Sequence, residues 1–106
     1  MTTSIPPIDF LALSGGLLAI GIFGILTRRN FILLLISVEI AINAAILNFV
    51  AFSAFAGTSS GVSGQAAAVV LIGLAATEVA VGLAIVLALN RLRGSINVAE
   101  ATQLKL

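Results

Sequence analysis

The chain has 106 residues, 60% of them hydrophobic and only 8% charged, and its five basic and four acidic side chains leave a net charge of +1. A soluble domain carries about 25% charge, so this composition, with a mean hydropathy of +1.26, belongs to the bilayer. The chain has no Cys and no His, which excludes thiolate- or imidazole-ligated iron–sulfur, haem and zinc centres, disulfides and Cys or His catalysis, and the small net charge by itself implies neither a nucleic acid nor an anionic surface as a partner.

Three apolar runs follow one another, at about 8–26, 31–55 and 66–89. A helix needs about 17–25 residues to cross a bilayer. Backbone groups in hydrocarbon must be satisfied within the segment, so each run is read as a helix. A β-barrel would need alternating polarity, which the runs lack. Pro6 and Pro7 start the first helix, where proline is tolerated, and Asp9 sits at the interface. No Lys or Arg precedes Arg28, so the first run lacks the basic n-region of a cleaved signal.

Thr27-Arg28-Arg29-Asn30 is a tight basic turn into the second helix, which carries Glu39, Asn43 and, towards its far end, Phe49, Phe52 and Phe55. Residues 57–64 form a Gly/Ser-rich stretch that reads as a flexible loop. The third helix carries Glu78 and a stripe of Ala76, Ala80, Ala84 and Ala88, and the tail from 90 to 106 holds Arg91, Arg93, Glu100 and Lys105. Basic residues thus occupy the first turn and the tail alone. The positive-inside rule then puts the N-terminus outside and the C-terminus on the cytoplasmic, stromal or matrix side. The expected fold class is all-α integral membrane: a single unit over 1–106 with three transmembrane helices.

Small residues let membrane helices approach closely. Gly15, Gly16, Gly21 and Gly24 on the first helix and the alanine stripe on the third offer more small faces than three helices use among themselves. Contacts with other membrane subunits are expected, beside contacts with lipid. Trp and Tyr are absent, so neighbouring protein rather than an aromatic belt sets the tilt.

Glu39 and Glu78 are the only charges inside long apolar runs. A charge at a helix centre costs about 2.5–3.5 kcal/mol on insertion scales, and such residues usually mark ion or proton pathways. At about 1.5 Å per residue, Glu39 lies about 12 Å and Glu78 about 16 Å from the basic side. The second and third helices run antiparallel, so the two acids are expected at similar depth. Asn43 follows Glu39 at i+4, on the same face, within reach of the acid or of a water. Gly82 follows Glu78 at i+4 and is expected to leave room beside it for water or another side chain. Asn48, nine residues from Glu39, points the opposite way. Desolvation favours a neutral carboxyl, and two neighbouring acids titrate as a coupled pair, which is the chemistry of a proton relay. The alternative is structural: each Glu pairs with a Lys or Arg of a neighbouring subunit. For Arg28 and Arg29 the plainer reading is topology.

The segments carrying these residues resemble a known family. Gly21-Ile22-Phe23-Gly24-Ile25-Leu26-Thr27-Arg28-Arg29-Asn30, the Val38-Glu39-Ile40-x-x-Asn43-Ala44 segment and the Glu78-x-x-x-Gly82-Leu83-Ala84 segment, with Gly64-Gln65 and Arg91 and Arg93, look like the NuoK-type small membrane subunit of complex I. That complex is the proton-pumping NADH:quinone oxidoreductase, with photosynthetic relatives. The pair of glutamate segments at this spacing carries the resemblance, which spans 21–93. It implies three helices inside a multisubunit membrane arm, beside antiporter-like subunits. It implies a proton path through Glu39 and Glu78, with Asn43, Arg28 and Arg29 in support. No cofactor or metal is expected in this chain, because quinone and redox cofactors belong to the wider complex. The expected location is an energy-transducing membrane: a prokaryotic plasma membrane, a thylakoid or an organelle inner membrane.

Two functional readings from different classes stand side by side. One is a non-redox proton-relay subunit of the quinone-linked enzyme. The other is the small subunit of a multisubunit cation/proton antiporter or membrane-bound hydrogenase. A rotary-ATPase ring subunit is a hairpin with one essential acid, which three spans and two acids do not match. A purely structural adaptor predicts that both Glu positions tolerate Gln and Ala.

Overall fold

The computed structural model describes residues 5–56, 60–94 and 96–101. They form α1 (Pro7–Thr27), α2 (Phe31–Phe55), α3 (Ser60–Arg93) and the short α4 (Val98–Ala101). The molecule is an elongated up-down-up bundle of 59 × 24 × 23 Å. Three helices, Pro7–Thr27, Phe31–Phe55 and Val62–Arg93, are long and apolar enough to cross a membrane.

Each boundary has a local cause. The Asp9 amide donates to the Pro6 carbonyl (3.1 Å), and Asp9 lies in the first turn, where a carboxylate suits the helix dipole. Asn30 caps α2: its Oδ1 accepts from the amides of Ile32 (2.9 Å) and Leu33 (3.5 Å). Gly94, at φ +66°, ends α3 in the left-handed region that glycine enters without penalty, and its amide donates to the Asn90 carbonyl (2.8 Å).

α3 is longer than the expected 66–89 span. Part of the Gly/Ser stretch, Ser60–Gly64, is helical, while 57–59 lie outside the described residues. A packing reason is visible at Gly64. A Cβ there would overlap Ser53 of α2, so the missing side chain lets the two helices continue in contact. Tertiary packing outweighs the weak helix propensity of Gly and Ser. At the other end the helix continues through Arg91 and Arg93.

α2 is the central helix. It packs against both α1 and α3, which make little contact with each other. The α1–α2 seam is lined by small residues: a Cβ on Gly21 would lie 2.9 Å from the Ala41 Cβ and from the Ser37 carbonyl, and one on Gly24 would overlap Ser37. Ser14, on the same seam, is 2% exposed and its hydroxyl donates to Asn48 Oδ1 (2.6 Å). The buried side chains of α2 and α3 are mostly small too, among them Ala44, Ala51, Ala68 and Ala75.

The two ends are distinct. At one, the Phe31 amide donates to the Ile96 carbonyl (3.0 Å) and the Val98 amide to the Arg29 carbonyl (2.6 Å). The first turn and the segment after α3 are thereby joined around an antiparallel Asn30–Asn97 bridge. This gathers Arg28, Arg29, Arg91 and Arg93 at one end. At the other end Phe10 packs on Phe55, ring centroids 5.8 Å apart.

Candidate functional site

The site is built where α3 crosses α2. Gly82 presents no side chain, and Leu35 of α2 fills the space: a Cβ on Gly82 would lie 2.6 Å from Leu35 Cδ1. Of the two occupants expected in the room that Gly82 leaves, a water or another side chain, it is a side chain, Leu35, that stands there. A glycine four residues on from Glu78 brings a neighbouring helix close.

The Leu35–Gly82 contact fixes the register of the two helices. Glu39 lies one turn beyond Leu35, and Glu78 one turn before Gly82. Because the helices are antiparallel, both steps lead away from the basic end. The acids therefore stand at the same height, each about 6 Å along its helix from that contact. Their surroundings differ. Glu39 is half-buried, whereas Glu78 is exposed within this chain. Glu78 opens into a groove of about 530 Å³ between α2 and α3, whose walls include Leu35, Val38, Thr77, Val81 and Gly82.

Asn43 shares the Glu39 flank and is exposed. Among the described residues neither it nor either glutamate makes a side-chain hydrogen bond or ion pair. The Asn43–Glu39 hydrogen bond, one of the two options in the sequence, is thus not formed within the chain. Asn48 does point away from Glu39, as its spacing requires, and binds Ser14 on the α1 side. That link went unread in the sequence. Its signal was the series Ser37, Ala41, Ala44 and Asn48, which recurs at helical period and marks the small face that α1 occupies. Arg28 and Arg29 are exposed at the basic end, far from the glutamates, and so are not part of the same cluster.

Much of the chain's apolar surface is open. Only 17%, 17% and 11% of the apolar windows of the three spans are buried within the molecule. Ala76, Ala80, Ala84 and Ala88 are all exposed, and Cβ atoms on Gly15, Gly16 and Gly73 would meet nothing within 4 Å. The small faces not used between α1, α2 and α3 thus turn outward.

A family model described as NADH-ubiquinone/plastoquinone oxidoreductase chain 4L matches residues 9–106. The chain belongs to this family. The match runs through the Gly/Ser stretch and the tail, beyond the 21–93 region that carries the motif resemblance. Relatives are named NADH-quinone oxidoreductase subunit K. That of Anaeromyxobacter dehalogenans is 48% identical over 95 residues, covering 89% of this chain and 93% of its own. That of Deinococcus radiodurans is 44% identical over 105 residues, 99% of each chain, and that of Bacillus anthracis 44% over 103 residues, 97% of this chain and 98% of its own. As a member of the chain 4L family with three membrane-crossing helices, this is an integral membrane subunit of a multisubunit oxidoreductase complex. Among the described residues no group of three or more His, Cys, Asp or Glu side chains could hold a metal ion.

Proposed function

We propose that this chain is a non-redox membrane-arm subunit of an NADH–quinone oxidoreductase, in which Glu39 and Glu78 relay protons while other subunits carry electrons to quinone. The reading rests chiefly on the register set by Leu35 and Gly82, which holds two intramembrane acids at one height on adjacent helices. Two carboxyls at one height can exchange a proton where water joins them. Having no Cys or His, the chain contributes acids and shape, and the redox cofactors reside in other subunits.

Glu39, half-buried between helices, is the more constrained relay point, and Glu78, open to the groove, is the exchange partner. The outward flanks around Asn43 and Glu78 face further membrane-arm subunits, antiporter-like ones among them, to which protons pass laterally. Quinone reduction elsewhere changes hydration and electrostatics at the pair. The four arginines gathered at one end favour an orientation with that end in the cytoplasm, or its stromal or matrix equivalent, and the N-terminus outside. The relatives' names favour this quinone-linked role over that of an antiporter or hydrogenase subunit.

The test is Glu39→Gln in native membranes, with assembly verified by native gel. Quinone-reductase rate and proton-gradient formation are measured together. Gln keeps the shape and removes the exchangeable carboxyl proton, so both are expected to fall about tenfold or more, equivalent to about 1.4 kcal/mol in the barrier. Wild-type rate and gradient in the assembled variant would overturn the assignment.

A further inference from the structure

At the basic end, a polar cavity of about 370 Å³ is bounded by Thr27, Arg28, Arg29, Asn30, Ile96 and Asn97. It is formed because the backbone pairing of Arg29 and Phe31 with Val98 and Ile96 holds the segment after α3 over the first turn. A second groove, of about 270 Å³, runs along the α1–α2 seam between Ile20 and Phe23 on one side and Ile36 and Ile40 on the other. Arg28 and Leu33 line both spaces. A cationic head cavity thus continues into an apolar groove that descends into the span.

The chemistry of the head cavity is one-sided. Both guanidiniums are exposed, and neither is in an ion pair among the described residues. Asn30 commits its Oδ1 to the α2 amides, so the end of its side chain left for a ligand is the NH₂ donor. Among the described residues no carboxylate lines either space. Arginine forks match phosphate oxygens bidentately, and basic residues at a membrane face attract anionic lipid. The groove below is apolar and open to the bilayer, with Phe23 63% and Ile20 59% exposed.

We infer that this is a binding site for an anionic phospholipid, its phosphate held by Arg28, Arg29 and the Asn30 amide and one acyl chain laid along Phe23, Ile36 and Ile40. The site lies at the basic end, apart from the glutamate pair, and does not depend on the proton-relay reading.

The probe is phosphatidylglycerol carrying a diazirine at mid-chain, with the matching phosphatidylcholine as control. Each is incorporated into nanodiscs around the assembled complex, and cross-linked peptides are mapped by mass spectrometry. Labelling of 20–24 and 36–40 is expected from phosphatidylglycerol in preference to phosphatidylcholine. Arg28→Gln and Arg29→Gln are each expected to lower it about fivefold, the share one juxtamembrane charge contributes. Excess inorganic phosphate should leave the labelling unchanged, because it lacks the chain that the groove holds. Equal labelling by the two lipids, or none at these positions because another subunit fills the groove, overturns the proposal. Loss of labelling on adding phosphate also overturns it, as a site for free phosphate. The lipid comparison on the unsubstituted complex decides the matter even where an arginine variant does not assemble.

Discussion

Leu35 of α2 packs against the bare backbone of Gly82 in α3, and this contact sets the height of both intramembrane glutamates. A Cβ on Gly82 would come within 2.6 Å of Leu35 Cδ1. The obstructing atom is the end of a flexible side chain, so Gly82→Ala is expected to be absorbed by a rotation of Leu35. Gly82→Leu cannot be, and it should push α3 from α2 and lower coupled proton pumping more than assembly. Adding Leu35→Ala reopens the space. Recovery of pumping in the Gly82→Leu/Leu35→Ala pair, measured against each single variant, is the expected result, and strict additivity of the two losses would separate the contact from the function.

The α1–α2 seam is less forgiving. A Cβ on Gly24 overlaps both the hydroxyl and the Cβ of Ser37, and side-chain rotation can move only the hydroxyl. Gly24→Ala is expected to cost about 1–3 kcal/mol as an overpacked interface, seen as a lower midpoint in thermal melts of the purified complex. Ser37→Gly on the facing helix should restore most of it. Gly15→Ala meets nothing within 4 Å in this chain, so an assembly defect there would mark the seat of a neighbouring subunit.

The Ser14–Asn48 bond is the polar link across that seam. Hydrogen bonds between membrane helices contribute about 0.6 kcal/mol on average and up to about 1.7. Ser14→Ala and Asn48→Leu are each expected to destabilise the subunit modestly, and the double variant to cost less than their sum. A cycle with no coupling energy would show that the two side chains act independently. Proton pumping should be preserved in Ser14→Ala, since the link lies on the α1 side of α2 and the glutamates do not.

At the basic end Asn30 caps α2 through the Ile32 and Leu33 amides. Replacing a cap of this type with Ala costs about 0.5–2 kcal/mol. Asn30→Ala should speed hydrogen exchange at Ile32 and Leu33 while leaving the middle of α2 protected. Unchanged exchange at those two amides would mean that the cap contributes nothing in the assembled complex.

The three spans were legible because hydropathy and length alone decide what crosses a bilayer. The glutamates stood out because charge within such runs is rare. Their equal height was legible as well, since two antiparallel helices of known ends leave little freedom. What surrounds Glu78 was not. A glycine at i+4 says that its own helix is bare there, but the side chain that fills the gap, Leu35, comes from another helix. The helical start of α3 was missed for a related reason. Gly64 looks like a loop residue by propensity, yet its missing side chain is what seats it on Ser53. Asn30 read as part of a tight turn and Asn97 fell in the tail, and nothing local announces that their segments pair across two intervening helices.

The most direct measurement is a double-mutant cycle on the two acids. Glu39→Gln, Glu78→Gln and the double variant are compared in assembled complexes, with the rate of quinone-driven proton translocation as the readout. Residues that act on one path are not additive. A shared relay requires that each single variant lower this rate and that the double variant fall no further than the worse single one. Losses that simply multiply, or a wild-type rate in either single variant, would contradict a shared relay through Glu39 and Glu78.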